Sequence, residues 1–404
     1  MVPGQPRRGS RVVEPHTRDV VCLGDLRLTS GVVLPDVRLA VETWGSLAAD
    51  GSNAVLVEHA LTGDSHVAPA GPDDAPGWWP GVVGPGGPVD TREHFVVCAN
   101  VLGGCSGSTG PTSTGPDGQP WGGRFPALTV RDQVEAEALL SDRLGIDRWA
   151  AVLGGSLGGT RVLEWVAMHP ERVGTAIVLA SGARATADQI AWAHAQLAAI
   201  RLDPGYRDGD YLREGTDPSR GLAIARAIAH TTYRTAAELE DRFANATRPA
   251  DSAAAGQRPP FQVESYLEHH GARLVERFDA ATYVLLTEVL STHDVTRGRG
   301  DLASVVAGAT GPVVAVAVDS DRLYPAHLSA QIAAAAGERG VLETIHSARG
   351  HDGFLAETAQ LDAILRRHVP RTGPRAGATG GAISGSVAEV GSQAGSPDRL
   401  QEEP

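Results

Sequence analysis

The segment AAVLGGSLGGTRVLEW, residues 150–165, constrains this chain more tightly than any other stretch. A short apolar run, Trp149–Leu153, leads into Gly154-Gly155-Ser156-Leu157-Gly158. Helical spacing then runs from Gly158 to His169, where Pro170 stops it. A serine set in G-x-S-x-G between a strand and a helix sits on a sharp turn that projects its hydroxyl above the sheet. A side chain two places before or after it would strike neighbouring backbone, which is why Gly154 and Gly158 are needed. The N–H of Leu157, at the helix start, then points at an oxygen bound beside the hydroxyl, one donor of an oxyanion hole. Glycine patterns arise by chance in a chain with 49 glycines, and a helix-capping serine is the competing reading. The strand before and the helix after are what favour the catalytic one.

The rest of the chain repeats that rhythm. Val37–Trp44, Ala54–Glu58, Phe95–Val101, Ala176–Ala180, Pro312–Asp319 and Leu342–His346 read as strands. Val130–Leu144, Ala326–Ala336 and Phe354–His368 carry apolar residues at helical spacing. Near-continuous apolar strands alternating with amphipathic helices predict a mostly parallel sheet covered on both faces. With the serine turn, that pattern predicts an α/β-hydrolase fold over 18–183 and 304–370. Residues 184–303 break the rhythm with Ala-, Arg- and Glu-rich helical pattern, and read as an inserted helical cap over the carboxyl edge of the sheet, where ligands sit. Residues 1–17 read as a flexible N-terminus. Residues 371–404, rich in Gly, Ala and Ser, cannot bury enough apolar surface to offset their ordering entropy and read as a disordered tail.

A serine nucleophile needs a base, and the base an orienting acid, in the chain order Ser, acid, His. His351, in SARGHDGFL, lies after the last strand and before the last helix, as the base should. Asp319 and Asp321 both stand at the carboxyl end of the preceding strand, and position alone leaves both open, Asp321 being further into the loop. The second oxyanion donor should come from the loop after an early strand, where the N–H of Leu61 in His59-Ala60-Leu61-Thr62-Gly63 is the candidate. His59 and His66 lack an acidic or Cys partner at helical or knuckle spacing, so no metal site is expected. Cys105 has no local feature to activate it, and the glycines of Gly103–Gly110 lack the Lys and following helix of a phosphate cradle.

Composition narrows the class. The chain has 48 Asp+Glu against 35 Lys+Arg, a net charge of −13, which offers no footprint for nucleic acid or an anionic membrane. Basic residues near the start are not followed by an apolar run, so no signal peptide is expected, and no stretch has the length of a membrane span. Three cysteines, Cys22, Cys98 and Cys105, make no disulfide framework and suit a reducing cytoplasm.

Nine segments in order, HALTGDSH, NVLGGCSGSTGP, GGSLGG, ARATADQIAWAHAQ, FANATR, SYLEHHG, FDAATYVLLTEVLSTHDVTRGRG, DSDRLYP and GHDGFL, resemble the homoserine O-acetyltransferase family of methionine biosynthesis. The resemblance spans roughly residues 18–368. It implies Ser156 as nucleophile, Asp321 as acid and His351 as base, and so decides between Asp319 and Asp321. It also implies Arg226 as the grip on a substrate carboxylate and Asp352 as the partner of a substrate ammonium. L-homoserine and acetyl-CoA are the implied substrates, with acetyl-CoA a co-substrate, no bound cofactor, ping-pong transfer through acyl-Ser156, and a homodimer built on cap helices. Leu157 stands where the family usually has Met, with its N–H unaffected. L-serine or succinyl-CoA as substrates, a plain esterase, and a non-catalytic binding module are the alternatives.

Overall fold

The computed structural model describes residues 16–249 and 258–371. Eight strands form one sheet in the order β1-β2-β4-β3-β5-β6-β7-β8. They are β1 (His16–Arg27), β2 (Val33–Trp44), β3 (Ala54–Glu58), β4 (Phe95–Ala99), β5 (Trp149–Gly155), β6 (Val173–Leu179), β7 (Val313–Val318) and β8 (Gly340–Ile345). β1 and β2 run antiparallel to each other and β2 to β4, while all pairings from β4 through β8 are parallel.

The central strands are apolar on both faces because both faces are covered. Along β3, Ala54 and Leu56 enter one core and Val55 and Val57 the other. The first core is roofed by α1 (Val130–Arg143), α2 (Leu157–Met168) and, further on, α10 (Ala326–Ala335). The second is closed by Phe354 of α11 (Gly353–Ala356), by Leu361, Ile364 and Leu365 of α12 (Thr358–His368), and by Trp79. The single helix expected over Phe354–His368 is two, divided at Glu357, whose φ −87° and ψ 59° leave the helical region.

Between β6 and β7 the chain forms α3 (Ala187–Arg201), α4 (Tyr211–Glu214), α5 (Ser219–Tyr233), α6 (Ala236–Phe243), α7 (Gln262–Val275), α8 (Ala280–Thr292) and α9 (Leu302–Val306). α5 packs against α3 and α7, and α3 against α8. α8 is apolar on nearly every face and buried from Ala280 to Thr287, the mark of a helix wrapped by neighbours.

The N-terminal edge departs from expectation. His16 and Thr17, read from sequence as part of a flexible terminus, open β1, pairing with Trp44 and Thr43. Residues 1–15, and the expected tail from 372 onward, lie outside the described residues. β1 is an edge strand with mostly polar or half-exposed side chains and an irregular register around Gly24, so it lacks the apolar alternation that reveals a strand. Polar contacts hold it instead. Glu42, 5% exposed, accepts at Oε2 from Arg18 Nε (3.0 Å) and His66 Nδ1 (2.9 Å), with His16 Nε2 at 3.3 Å.

That network sets a pH window. Burial pushes Glu42 up, but bonds from His66 and Arg18 outweigh it and hold the carboxyl below its ordinary 4.5. Burial pushes His66 down, but Glu42 holds it above its ordinary 6.5. Glu42 therefore contributes stability fully above its unfolded pKa and loses it as pH falls through the folded one. His66 contributes fully below its unfolded pKa and loses it as pH rises through the folded one. The stability gap between the wild type and Glu42→Gln is expected to peak at about 1–3 kcal/mol between those ordinary values. It should shrink on both sides, to a residue set by Arg18 on the alkaline side. Urea unfolding across pH 4–8 at fixed ionic strength measures it, and a flat gap would show that these charges are not linked to folding.

Candidate active site

Ser156 joins β5 to α2 with φ 55° and ψ −119°, a left-handed conformation that few non-glycine residues adopt. Its N–H donates to Leu179 O (3.0 Å), and its carbonyl accepts from Ser181 Oγ (3.0 Å). β6 thus holds the turn from one side. From the other, a Cβ at Gly154 would lie 2.6 Å from Glu58 Cβ and O, and one at Gly158 would run into Glu58 O. The two glycines let the end of β3 press directly on the turn. Leu157 is the first residue of α2, where N–H groups lack intrahelical partners.

His351 sits in the 3₁₀ turn Gly350–Asp352 after β8. Gly350 has φ +67°, and a Cβ there would stand 2.5 Å from Tyr233 O, so glycine alone lets the turn close against α5. His351 Nδ1 bonds Asp321 Oδ2 at 2.7 Å, with side-chain exposures of 5% and 0%. Asp321 Oδ1 accepts from the N–H groups of Leu323 and Tyr324, both at 2.8 Å, which clamps the carboxylate and leaves Oδ2 for the imidazole. Burial pushes His351 down, but the Asp321 charge and hydrogen bond outweigh it, and its pKa stands above the ordinary 6.5.

Asp319 goes elsewhere. It bonds His346 Nδ1 at 2.8 Å in a pair whose side chains are 43% and 77% exposed. Of the two carboxylates that position alone left open, Asp321 is the one beside His351.

The Asp321–His351 pair lies beside the Ser156 pocket. Its walls include Leu61, Ser156, Gln196, Tyr233, Thr287 and Tyr324. The His351 ring stacks on Tyr324 (centroids 5.3 Å) and lies against Tyr233 (5.8 Å) and Phe354 (5.5 Å). Phe354 in turn fills the space a Cβ at Gly155 would need. With Nδ1 taken by Asp321, Nε2 is the nitrogen left for chemistry.

Arg226, on α5, lies 5.5 Å from the centroid of Tyr233, and its Nε is buried without a partner. Burial and this cation push His230 and His270 down, His270 to about 4, so both stay neutral around it. Asp352 pairs with Arg234 Nη2 at 3.2 Å. Burial pushes its carboxyl up, and Arg234, His351 and Arg226 pull it back. The ammonium partner suggested by the resemblance therefore already has a cation beside it.

His59 and His66 have structural work. His59 Nδ1–H donates to Ala60 O (2.7 Å), Nε2 accepts from Val101 N (3.0 Å), and burial with Arg161 nearby lowers it to about 3. His66 bonds Glu42 and Ala75 O. Burial raises the Cys98 and Cys105 thiols, so neither is an activated nucleophile.

Sequence reading missed the cap's share of the pocket. Tyr233, Gln196 and Thr287 lie on α5, α3 and α8 in ordinary helical text, and nothing local marks them. Tyr324 was within reach, standing in the strand-to-helix loop already singled out for its aspartates.

A serine on a left-handed turn after the central parallel strand, and a histidine after the last strand beside a buried aspartate, define an α/β hydrolase by architecture. The family model described as alpha/beta hydrolase fold matches residues 53–357. The chain is 56% identical over 363 residues to the homoserine O-acetyltransferase of Nocardia farcinica (strain IFM 10152), an alignment covering 88% of this chain and 94% of that one. It belongs to the homoserine O-acetyltransferase family. Two solved structures share the fold. A homoserine O-acetyltransferase from Bacillus anthracis has a TM-score of 0.81 at 23% identity, covering 88% of this chain and 98% of that one. An acetylester hydrolase from Corynebacterium glutamicum has 0.74 at 23%, covering 87% and 96%.

Asp321→Asn removes the charge that raises His351 and the acceptor that orients it. Acylation by a chromogenic p-nitrophenyl ester is expected to slow by about 10⁴-fold. The acid limb of the rate, above pH 6.5 in the wild type because His351 must be neutral to act, should move to lower pH in the variant. A pH–rate profile of both proteins checks this, and an unmoved limb would assign the titration to another group.

Proposed function

We propose that this protein is an L-homoserine O-acetyltransferase that carries the acetyl group on Ser156. The observation that bears most weight is the buried Asp321–His351 pair beside the pocket that Ser156 opens onto, in a chain 56% identical to a homoserine O-acetyltransferase. In the first half-reaction His351 Nε2 takes the Ser156 proton as Oγ attacks the thioester carbon of acetyl-CoA. The N–H groups of Leu61 and Leu157 hold the oxyanion. The carbon–sulfur bond breaks, and CoA leaves as the thiol with the proton from His351. In the second half-reaction His351 takes the proton of the homoserine hydroxyl, which attacks the acyl carbon. O-acetylhomoserine departs and the proton returns to Ser156. No bound cofactor is required, since acetyl-CoA is consumed as a co-substrate.

Arg226 suits the homoserine carboxylate. Its Nε lacks a partner, it makes no ion pair among the described residues, and neutral histidines surround it. Asp352 would take the ammonium, and in the absence of substrate it is paired with Arg234. We place the enzyme in the cytoplasm, in methionine biosynthesis. No helix among the described residues is long and apolar enough to cross a membrane. The family resemblance further suggests a homodimer through the cap, where Leu202, just past α3, and Ile224 on α5 are 82% and 54% exposed.

A matrix of acetyl- or succinyl-CoA against homoserine or serine tests the assignment. Thiol release is expected with acetyl-CoA, accelerated by homoserine, with one acetyl group trapped on Ser156 by mass spectrometry. Release indifferent to homoserine would make the protein an esterase, and unimpaired turnover by Ser156→Ala would overturn the covalent route. Arg226→Ala should raise the homoserine KM by about 10²-fold, the loss of a charge-assisted bidentate contact, while the acetylation burst stays intact. A burst that fell with the KM would assign Arg226 to the first half-reaction instead.

A further inference from the structure

We propose that Arg161 is a positioning residue that locks the loop carrying Leu61 to the helix carrying Leu157, and so fixes the spacing of the two oxyanion donors. The proposal rests on the reading of Ser156 as nucleophile and of those two N–H groups as donors.

Arg161 lies one turn along α2 from Leu157 and is entirely buried. Its Nη2 donates to His59 O at 2.7 Å, and its Nη1 reaches Glu58 Oε2 at 2.5 Å and Glu137 Oε1 at 2.7 Å. Trp165 Nε1 holds the other oxygen of Glu137 at 3.0 Å. One guanidinium thus ties the end of β3, α1 and α2 together directly beneath the serine turn. His59 carries the lock forward. Its carbonyl is held by Arg161, while its ring bonds Ala60 O and Val101 N. Gly63 N closes the loop onto Ala60 O at 3.0 Å. Leu61 sits between these anchors.

Stability alone does not account for the cluster. Buried ionic groups can usually be replaced by apolar residues of similar volume without loss, and often with gain. This one also leaves Arg161 Nε and Glu58 Oε1 buried without partners. What an ion pair offers that packing does not is direction. Direction is needed here, because at Gly154 and Gly158 the bare backbone of the turn lies directly against the carbonyl and Cβ of Glu58 where β3 ends. Burial and the neighbouring Glu137 also push Glu58 well above the usual carboxylate range, against the pull of Arg161.

The test compares the wild type with Arg161→Lys, Arg161→Met and Ile332→Ala, the last a core truncation remote from the cluster. Three quantities are read: the rate of the acetyl-Ser156 burst, the affinity for an alkylboronic acid that forms a tetrahedral adduct on Ser156, and the affinity for CoA. Both Arg161 variants should lose about 10²-fold in burst rate and boronate affinity, the worth of a misplaced oxyanion donor, with CoA affinity within about threefold. Both Arg161 variants are expected to melt lower, since each leaves Glu58 and Glu137 buried beside a lost or displaced cation. Ile332→Ala should melt lower as well yet acylate normally, so lost placement is told apart from lost stability. If neither Arg161 variant accumulates as folded protein, Glu137→Gln decides. It keeps the guanidinium but loosens one anchor, and about a tenfold loss in boronate affinity with unchanged CoA affinity is expected. Arg161 variants, or that substitute, binding the boronate and acylating within about threefold of wild type would overturn the proposal. A wild type that forms no acetyl-Ser156 would instead overturn the functional reading, so the two failures are separable.

Discussion

The left-handed backbone at Ser156 is the constraint on which the rest of the site depends. Such a conformation costs of order 1–3 kcal/mol in a non-glycine residue and persists only where its surroundings over-determine it. Here they do so from three directions. β6 takes the serine N–H at Leu179, and Ser181, just beyond that strand, donates its hydroxyl to the serine carbonyl. β3 presses Glu58 against the turn through the gaps at Gly154 and Gly158. The Phe354 ring fills the space beside Gly155. Each contact comes from an element that also carries part of the site. Phe354 touches His351, Glu58 precedes the loop of Leu61, and β6 leads into the cap. The strain is therefore shared with the residues that must meet the hydroxyl, and none of them can drift without relaxing it.

The buried charges divide the labour. Beneath the turn, Arg161, Glu58 and Glu137 form a closed set with no exposure to the pocket. Beside it, Asp321 and His351 form an acid–base pair whose carboxylate is pinned by two backbone N–H groups. Pinning matters because a carboxylate free to rotate would orient the imidazole only part of the time. In the cap, Arg234 is answered by Asp352 and Glu238, while Arg226, set against the Tyr233 ring, makes no ion pair among the described residues and keeps a buried Nε without a partner.

Much of the core was legible in the sequence because the physics that formed it is local. β3, β5 and β7 are covered on both faces, so their text is continuously apolar, and the glycines around Ser156 record a close approach that no other residue permits. β1 was not legible, since an edge strand fastened by Glu42, Arg18 and His66 leaves a polar text indistinguishable from a loop. The choice between Asp319 and Asp321 was undecidable from position for a specific reason. Both carboxylates found a histidine in the following loop, and the two pairs differ only in burial, 77% exposed for His346 against 5% for His351. Burial is set by Tyr233 and Tyr324, one of which lies on a distant cap helix. The Arg161 cluster was invisible for the same reason, being assembled from β3, α1 and α2, elements that meet only in three dimensions.

The fold alone does not separate a transferase from a hydrolase, since an acetylester hydrolase shares it at a TM-score of 0.74. The difference must lie in how water competes with the second substrate for the acyl group. Water is small and enters any open pocket, so exclusion rests on filling the space above Ser156 and on holding a better nucleophile there. In this chain the space is walled by three cap helices and narrowed by Tyr233 and Tyr324 around the His351 ring. An amino acid anchored at both ends, carboxylate on Arg226 and ammonium on Asp352, would present its hydroxyl to the acyl carbon at an effective concentration that free water in a confined pocket does not match. On the proposed reading the cap is thus where transfer would be won over hydrolysis, and the strained serine beneath it would serve either outcome.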